Sequence, residues 1–129
     1  MKIKLNSIYV QDQDKALAFY TETLGFVKSK EIPMGPFKWL TLKASHGGDT
    51  ELSLEPNANP AAKAYQEALL AQGIPITAFE VDDIGAEVAR LEGLGVRFKT
   101  PTTKAGPVSI AVFFDTCGNL IQIYQPPHR

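Results

Sequence analysis

The chain repeats its order of secondary-structure signals, and this internal repeat constrains the fold more than any other feature. Sliding the sequence on itself by 71 positions aligns matching residues of the two halves: Val10 with Val81, Asp12 with Asp83, Ala18 with Ala89, Gly35-Pro36 with Gly106-Pro107, and Pro56 with Pro127. One residue is dropped on the way, because Leu24-Gly25 aligns with Leu94-Gly95 at a shift of 70. A repeat at one period with a single gap indicates two copies of one structural unit.

Each copy predicts a strand, a helix and three further strands. Strands are expected near residues 3–10, 25–32, 37–43 and 51–55, and again near 75–81, 96–100, 108–115 and 120–125. Asp12 and Asp83 are typical N-caps for the helices that follow them, and Asn59-Pro60 begins a helix between the copies. The predicted fold class is α+β: one domain, 1–129, with two tandem βαβββ modules, 1–58 and 74–129, joined by a linking helix, 59–73.

Alternation along the strands separates an apolar sheet face from a polar one. In Glu51–Pro56, leucines alternate with Glu51, Ser53 and Glu55. The helices need the apolar faces, and the opposite faces mix carboxylates with aromatic and aliphatic side chains. A core made from such a face would bury charge, which is costly, and a solvent-exposed surface would leave its aromatic side chains in water. The pattern therefore predicts a curved mixed sheet with a concave ligand cavity and helices on its outer face. The expected lining residues are Tyr9, Trp39, Glu51, Ser53, Glu55, Ile110, Phe114, Gln122 and Tyr124.

The charge balance and the N-terminus exclude several classes of function. The formal net charge is −1, so nothing draws the chain to nucleic acid or to an anionic membrane. No apolar run approaches the roughly 20 residues that span a bilayer, and none resembles a signal peptide. A single cysteine, Cys117, allows no intrachain disulfide. We therefore expect a cytoplasmic protein.

Two segments resemble the vicinal-oxygen-chelate superfamily, which includes glyoxalase I, bleomycin-resistance proteins, fosfomycin-resistance enzymes and extradiol dioxygenases. The run Ile8–Phe26 is similar to the opening of that family, and Asp115–Gln122 is similar to its closing turn and strand. The doubled βαβββ order extends the resemblance over the whole chain. It is specific for the superfamily and not for any one activity within it.

The resemblance implies a metal held by two side chains from each half of the chain. Its positions correspond to Leu5 and Glu51 in the first half and, at the repeat shift of 71, to Ile76 and Gln122 in the second. A catalytic metal usually needs about three good protein ligands. Aliphatic side chains supply none, so we expect no metal and no other cofactor. A shifted site that uses His46 is a weaker alternative, and His128 near the C-terminus is expected to be solvated.

Three functions follow from these observations. The first is a metal-free binding protein for a small organic ligand, and carboxylates beside aromatic faces favour a cation. The second is a metal-dependent lyase, isomerase or dioxygenase of the same superfamily, with Glu51 as catalytic base or ligand. Glu55 lies roughly 13 Å further along the strand, too far to join Glu51 on one ion. The third is a protein whose dimer matters more than its cavity. We expect a homodimer, in which the modules pair within one chain or across two.

Overall fold

The computed structural model describes residues 1–127, and the chain divides into two compact units. The first unit covers Met1–Gln66 and the second begins at Glu67. The prediction for His128 lies outside the described residues. Within residues 1–127, none of the helices has the length and apolar character that crossing a membrane requires.

The first unit forms a four-stranded mixed sheet with strand order β1-β4-β3-β2. Strand β1 is parallel to β4, and the other neighbours are antiparallel. Helix α1 continues into a π-helical turn, Phe19–Thr23, before the chain enters β2. The element bounds are β1 Leu5–Val10, α1 Gln13–Ala18, β2 Val27–Met34, β3 Phe37–Lys43 and β4 Glu51–Pro56. Helix α2, Pro60–Gln72, crosses from the first unit into the second.

The second unit repeats this topology with strand order β5-β8-β7-β6. Strand β5 is parallel to β8, and β7 pairs antiparallel with both β6 and β8. Its elements are β5 Thr77–Glu80, α3 Ile84–Gly93, β6 Phe98–Ala105, β7 Val108–Phe114 and β8 Leu120–Gln125. The predicted α+β class and the doubled βαβββ order are therefore confirmed, as two four-stranded sheets.

The helix starts follow from the capping residues that the sequence predicts. Asp12 accepts a hydrogen bond from the Lys15 backbone N–H at 3.0 Å, and Asp83 accepts one from that of Ala86 at 3.1 Å. These bonds satisfy donors that the first turn of a helix leaves without a partner. Both aspartates thus have structural roles at equivalent points of the two units.

The apolar faces of both sheets are buried against the helices. In the first unit α1 packs on β3 and β4, and in the second α3 packs on β6, β7 and β8. The buried strand residues are Ile8, Val10, Leu40, Leu42 and Leu54 in the first unit and Ala111, Phe113, Ile121 and Ile123 in the second. Gln13 ties α1 to its sheet, because its Nε2 donates to the carbonyls of Lys38 and Leu54, each at 2.8 Å.

Strand β6 runs further than the sequence pattern predicts. The pattern ends this strand near Thr100, because Pro101 removes a backbone donor. The observed strand continues to Ala105, with its register to β7 shifting on both sides of Thr100. In the described part of the chain β6 is an edge strand that pairs with β7 alone, so proline and bulges are tolerated there as at other sheet edges.

Candidate functional site

The polar face of the first unit is assembled from three adjacent strands. On β1 and β4, Leu5 pairs with Glu51, Ser7 with Ser53, and Tyr9 with Glu55. Across the next boundary Thr41 of β3 pairs with Ser53. Thr41 and Ser53 are fully buried, whereas Tyr9, Trp39, Glu51 and Glu55 are partly exposed. The first-unit residues of the predicted lining therefore do share one face, with hydroxyl groups at its centre.

Glu51 is engaged by a lysine of β2 and by a hydroxyl of β3. Lys30 Nζ lies 2.7 Å and 2.9 Å from the two carboxylate oxygens, and Thr41 donates its hydroxyl to one of them. These hydrogen bonds lower the pKa of Glu51 from 4.5 to about 2. The bond from Lys30 is the largest cause, and partial burial acts in the opposite direction. Glu51 is therefore ionised near neutral pH and holds its proton weakly.

Glu55 has a different environment at the other end of the same strand. Its carboxylate accepts a hydrogen bond from the Ser53 hydroxyl at 2.7 Å. Within residues 1–127, no lysine or arginine forms an ion pair with it. Tyr9 is its register partner on β1, and Trp39 lies on β3 beyond the residues of that strand that pair with β4. Glu55 is thus a carboxylate with an aromatic register partner on β1.

The polar face of the second unit is built in the same way. Ile110 pairs with Tyr124, and Val112 pairs with Gln122, so the predicted lining residues of this unit also share a face. Phe114 lies on it too, and the guanidinium carbon of Arg97 stands 4.2 Å from the centre of its ring. That cation–π contact covers the ring of Phe114, which the alternation along β7 predicts to face a ligand.

The register changes which residues of the two units are equivalent. Adding 71 to a residue number in β1 or β3 gives the equivalent residue in β5 or β7. For β4 and β8, the strand pairings match only when 69 is added instead. The reason is the connection before the last strand, residues 44–50 in the first unit and the shorter 115–119 in the second. The counterpart of Gln122 is therefore Ser53, and the counterpart of Glu51 is Leu120. The alignment of Glu51 with Gln122 by a single shift was wrong.

A buried aspartate makes the second connection short. Asp115 accepts from the backbone N–H groups of Cys117 and Asn119 at 2.7 Å and 2.9 Å, and from the Asn119 amide group at 2.8 Å. Thr116 adopts a φ of 63°, which is uncommon for a β-branched residue. This tight turn fixes where β8 begins and hence which side chains reach the polar face.

The corrected register also identifies a carboxylate absent from the predicted lining. Glu80 on β5 pairs with Tyr124 on β8, as Tyr9 on β1 pairs with Glu55 on β4. The equivalent positions thus hold the same two residue types with the strands exchanged. The sequence signal for Glu80 is its alternation with Phe79, and the shift of 71 aligns it with Tyr9, but the same shift hides the correspondence of Glu55 with Tyr124.

The family's metal positions do not supply a suitable donor set in this chain. Leu5 and Ile76 have no side-chain donor atom, Gln122 is a neutral and weak ligand, and the one good donor, Glu51, is engaged by Lys30 and Thr41. Among residues 1–127, no three His, Cys, Asp or Glu side chains converge to hold a metal ion. His46 is exposed and its Nδ1 lies 3.0 Å from the Ser45 hydroxyl. The residues present therefore do not fit the metal that the family resemblance implies.

A separate cleft of about 620 Å³ opens in the first unit beside the start of α1. It includes Lys38, which is paired with both Asp14 and Glu31, while Asp12 caps the helix. None of the nine predicted ligand residues lines it. The lining residues are Gln11, Asp12, Gln13, Asp14, Glu31, Pro33, Pro36, Phe37, Lys38 and Pro56.

Comparison with known proteins identifies the family. The profile of the Glyoxalase/Bleomycin resistance protein/Dioxygenase superfamily matches residues 2–123. This chain therefore belongs to that superfamily, as the resemblance of its opening and closing segments implies. It is 58% identical to the protein YurT of Bacillus subtilis strain 168 over 126 residues, which cover 97% of this chain and 99% of that protein.

Solved structures with the same fold include two that are 30% identical to this chain. UcmS2 matches with a TM-score of 0.81, covering 96% of this chain and 97% of its own. TnmS3, an antibiotic binding protein from Streptomyces sp. CB03234, matches with a TM-score of 0.78, covering 98% of this chain and 96% of its own.

Proposed function

We propose that this protein binds a small organic molecule, preferably a cation, on the polar sheet faces and sequesters it without chemical conversion. The proposed ligand-binding residues are those of the predicted lining, in which Trp39, Tyr9 and Tyr124 supply aromatic surface and Glu55 supplies charge. Two features support a binding role over catalysis: the state of Glu51 and the residues at the family's metal positions.

The engagement of Glu51 by Lys30 carries the proposal. A general base works best when its pKa lies near the working pH, and that of Glu51 is lowered to about 2. An ion pair to Lys30 and a hydrogen bond from Thr41 also occupy its oxygens. Both features disfavour the alternative of a lyase, isomerase or dioxygenase that uses Glu51 as base or metal ligand.

The relatives and the aromatic surface support a binding role. TnmS3, 30% identical over nearly the whole chain, is an antibiotic binding protein. In this chain Trp39 is only partly buried and lies on the same face as Glu55. An aromatic ring beside a carboxylate attracts organic cations through both its face and the neighbouring charge.

A thermal-shift screen of planar cationic antibiotics tests the proposal. We expect one or more compounds to raise the Tm of the wild-type protein, and Trp39→Ala to lose that rise because the ring is removed. Trp39→Phe is the matched control, since it keeps an aromatic face and should retain most of the shift. Hits that stabilise Trp39→Ala as strongly as wild type would place binding elsewhere and contradict the proposal.

We also propose that the protein works as a homodimer in the cytoplasm. Support for the dimer comes from an exposed apolar patch at the end of the β2–β3 hairpin, defined by Ile32, Met34 and Phe37. Their exposed fractions are 51%, 62% and 43%. By register these residues lie on the same face as Trp39. A second copy that covers the patch would bury apolar surface next to the ligand-binding face.

A further inference from the structure

The two polar faces contain carboxylates in two distinct situations. Glu51 is neutralised by Lys30, and its oxygens are held by Lys30 and Thr41. Glu55 and Glu80 form no ion pair with any residue in the described part of the chain. A ligand that approaches either face therefore meets a neutralised carboxylate at one position and an uncompensated charge at another.

Each uncompensated carboxylate is register-paired with a tyrosine. Tyr9 and Glu55 are partners in the parallel pair β1–β4, and Glu80 and Tyr124 are partners in the parallel pair β5–β8. Partners in neighbouring strands lie about 4.8 Å apart along the hydrogen-bonding direction and point to the same face. A phenol ring and a carboxylate thus stand side by side in both units.

The repeat shows that these two pairs occupy one equivalent position. With β5 related to β1 at a shift of 71 and β8 related to β4 at a shift of 69, Tyr9 corresponds to Glu80 and Glu55 to Tyr124. The two residue types have exchanged strands while the pair has kept its place on the face. In the second unit Ile110 of β7 pairs with Tyr124, so this pair has an apolar neighbour, and Trp39 is the residue of β3 that corresponds to Ile110 at a shift of 71.

We propose that Glu55 and Glu80 are the residues that select a cationic ligand, each together with its neighbouring tyrosine. This inference rests on the proposed function and names the groups that determine ligand charge at that site. A ring face and a carboxylate both attract a cation, and their attractions act in the same direction when the two groups are adjacent. The matching ligand class is an N-alkylated aromatic cation.

Calorimetric titration with one charged and one neutral probe tests this assignment. N-methylphenanthridinium and uncharged phenanthridine share a ring system and differ mainly in charge. Glu55→Gln and Glu80→Gln should each weaken binding of the cation about tenfold and leave phenanthridine unchanged. Glu92→Gln, the matched control, removes an exposed carboxylate on α3 and should change the affinity for the cation by less than about twofold. Trp39, the single tryptophan, provides a second readout through fluorescence quenching in the first unit.

The possible outcomes separate this inference from the function on which it rests. Both probes could bind while neither Glu55→Gln nor Glu80→Gln changes the affinity for the cation. That result would overturn the charge assignment and leave the proposed binding function standing. A loss of cation affinity in Glu92→Gln as large as that in Glu55→Gln would likewise overturn it. If neither probe binds the wild-type protein saturably, the proposed function fails and the assignment fails with it.

Discussion

At the scale of single residues, Glu51 shows that the type and position of a residue do not by themselves determine its role. The sequence places a carboxylate on the polar face of β4, and the structure confirms that position. The sequence does not reveal that Lys30, twenty-one residues earlier, reaches the same carboxylate. That contact depends on the register between β2 and β3, which shifts between Lys28 and Lys30. An irregularity of this kind has no local sequence signal.

The ion pair predicts a specific pH dependence. The pKa of Glu51 is lowered from 4.5 to about 2 in the folded protein, so its contribution to stability is present above pH 4.5. That contribution is lost as the pH falls through the interval between these two values. In Lys30→Met the pKa of Glu51 should rise towards its ordinary value, because the substitution removes the largest cause of its lowering. Carboxyl ¹³C NMR titration of both proteins measures this directly, and a wild-type Glu51 that titrates near 4.5 would contradict the described contact.

At the scale of elements, patterns within a strand or helix could be predicted, whereas relations between strands could not. Alternation and capping residues located the repeated elements, and Asp12 and Asp83 cap helices as expected. The relation of β4 to β8 was misjudged because two connections differ in length, and the Asp115 turn that shortens one of them depends on buried hydrogen bonds. The correspondence of Glu55 with Tyr124 was consequently missed.

Gln13 provides a prediction at this scale. It is 8% exposed and joins α1 to β3 and β4 by donating to the carbonyls of Lys38 and Leu54. Gln13→Ala should lower the free energy of unfolding by about 1 to 3 kcal/mol, because buried backbone groups lose their partners. Gln11→Ala, on the exposed turn before the helix, is the control and should have little effect. Urea denaturation measures both, and equal effects would show that Gln13 does not anchor the helix.

At the scale of the whole molecule, the apolar patch formed by Ile32, Met34 and Phe37 predicts a quaternary structure. We expect the wild-type protein to have the mass of a dimer in light scattering coupled to size-exclusion chromatography. Met34→Lys should shift the population to monomer, because burying an unpaired charge at an interface is costly. Leu94→Lys is a control of similar exposure in the second unit, where Leu94 is 56% exposed against 62% for Met34. A monomeric wild-type protein, or monomers from both variants alike, would contradict this assignment.

The central proposal is that this chain keeps the fold of its superfamily without the metal site and uses that fold to hold a ligand. Metal analysis of protein expressed with Zn, Ni, Mn and Fe supplied, and purified without chelator, tests this claim most directly. The account predicts metal far below stoichiometric amounts in wild type and in Glu51→Gln alike. One ion per chain in wild type that is lost in Glu51→Gln would contradict it.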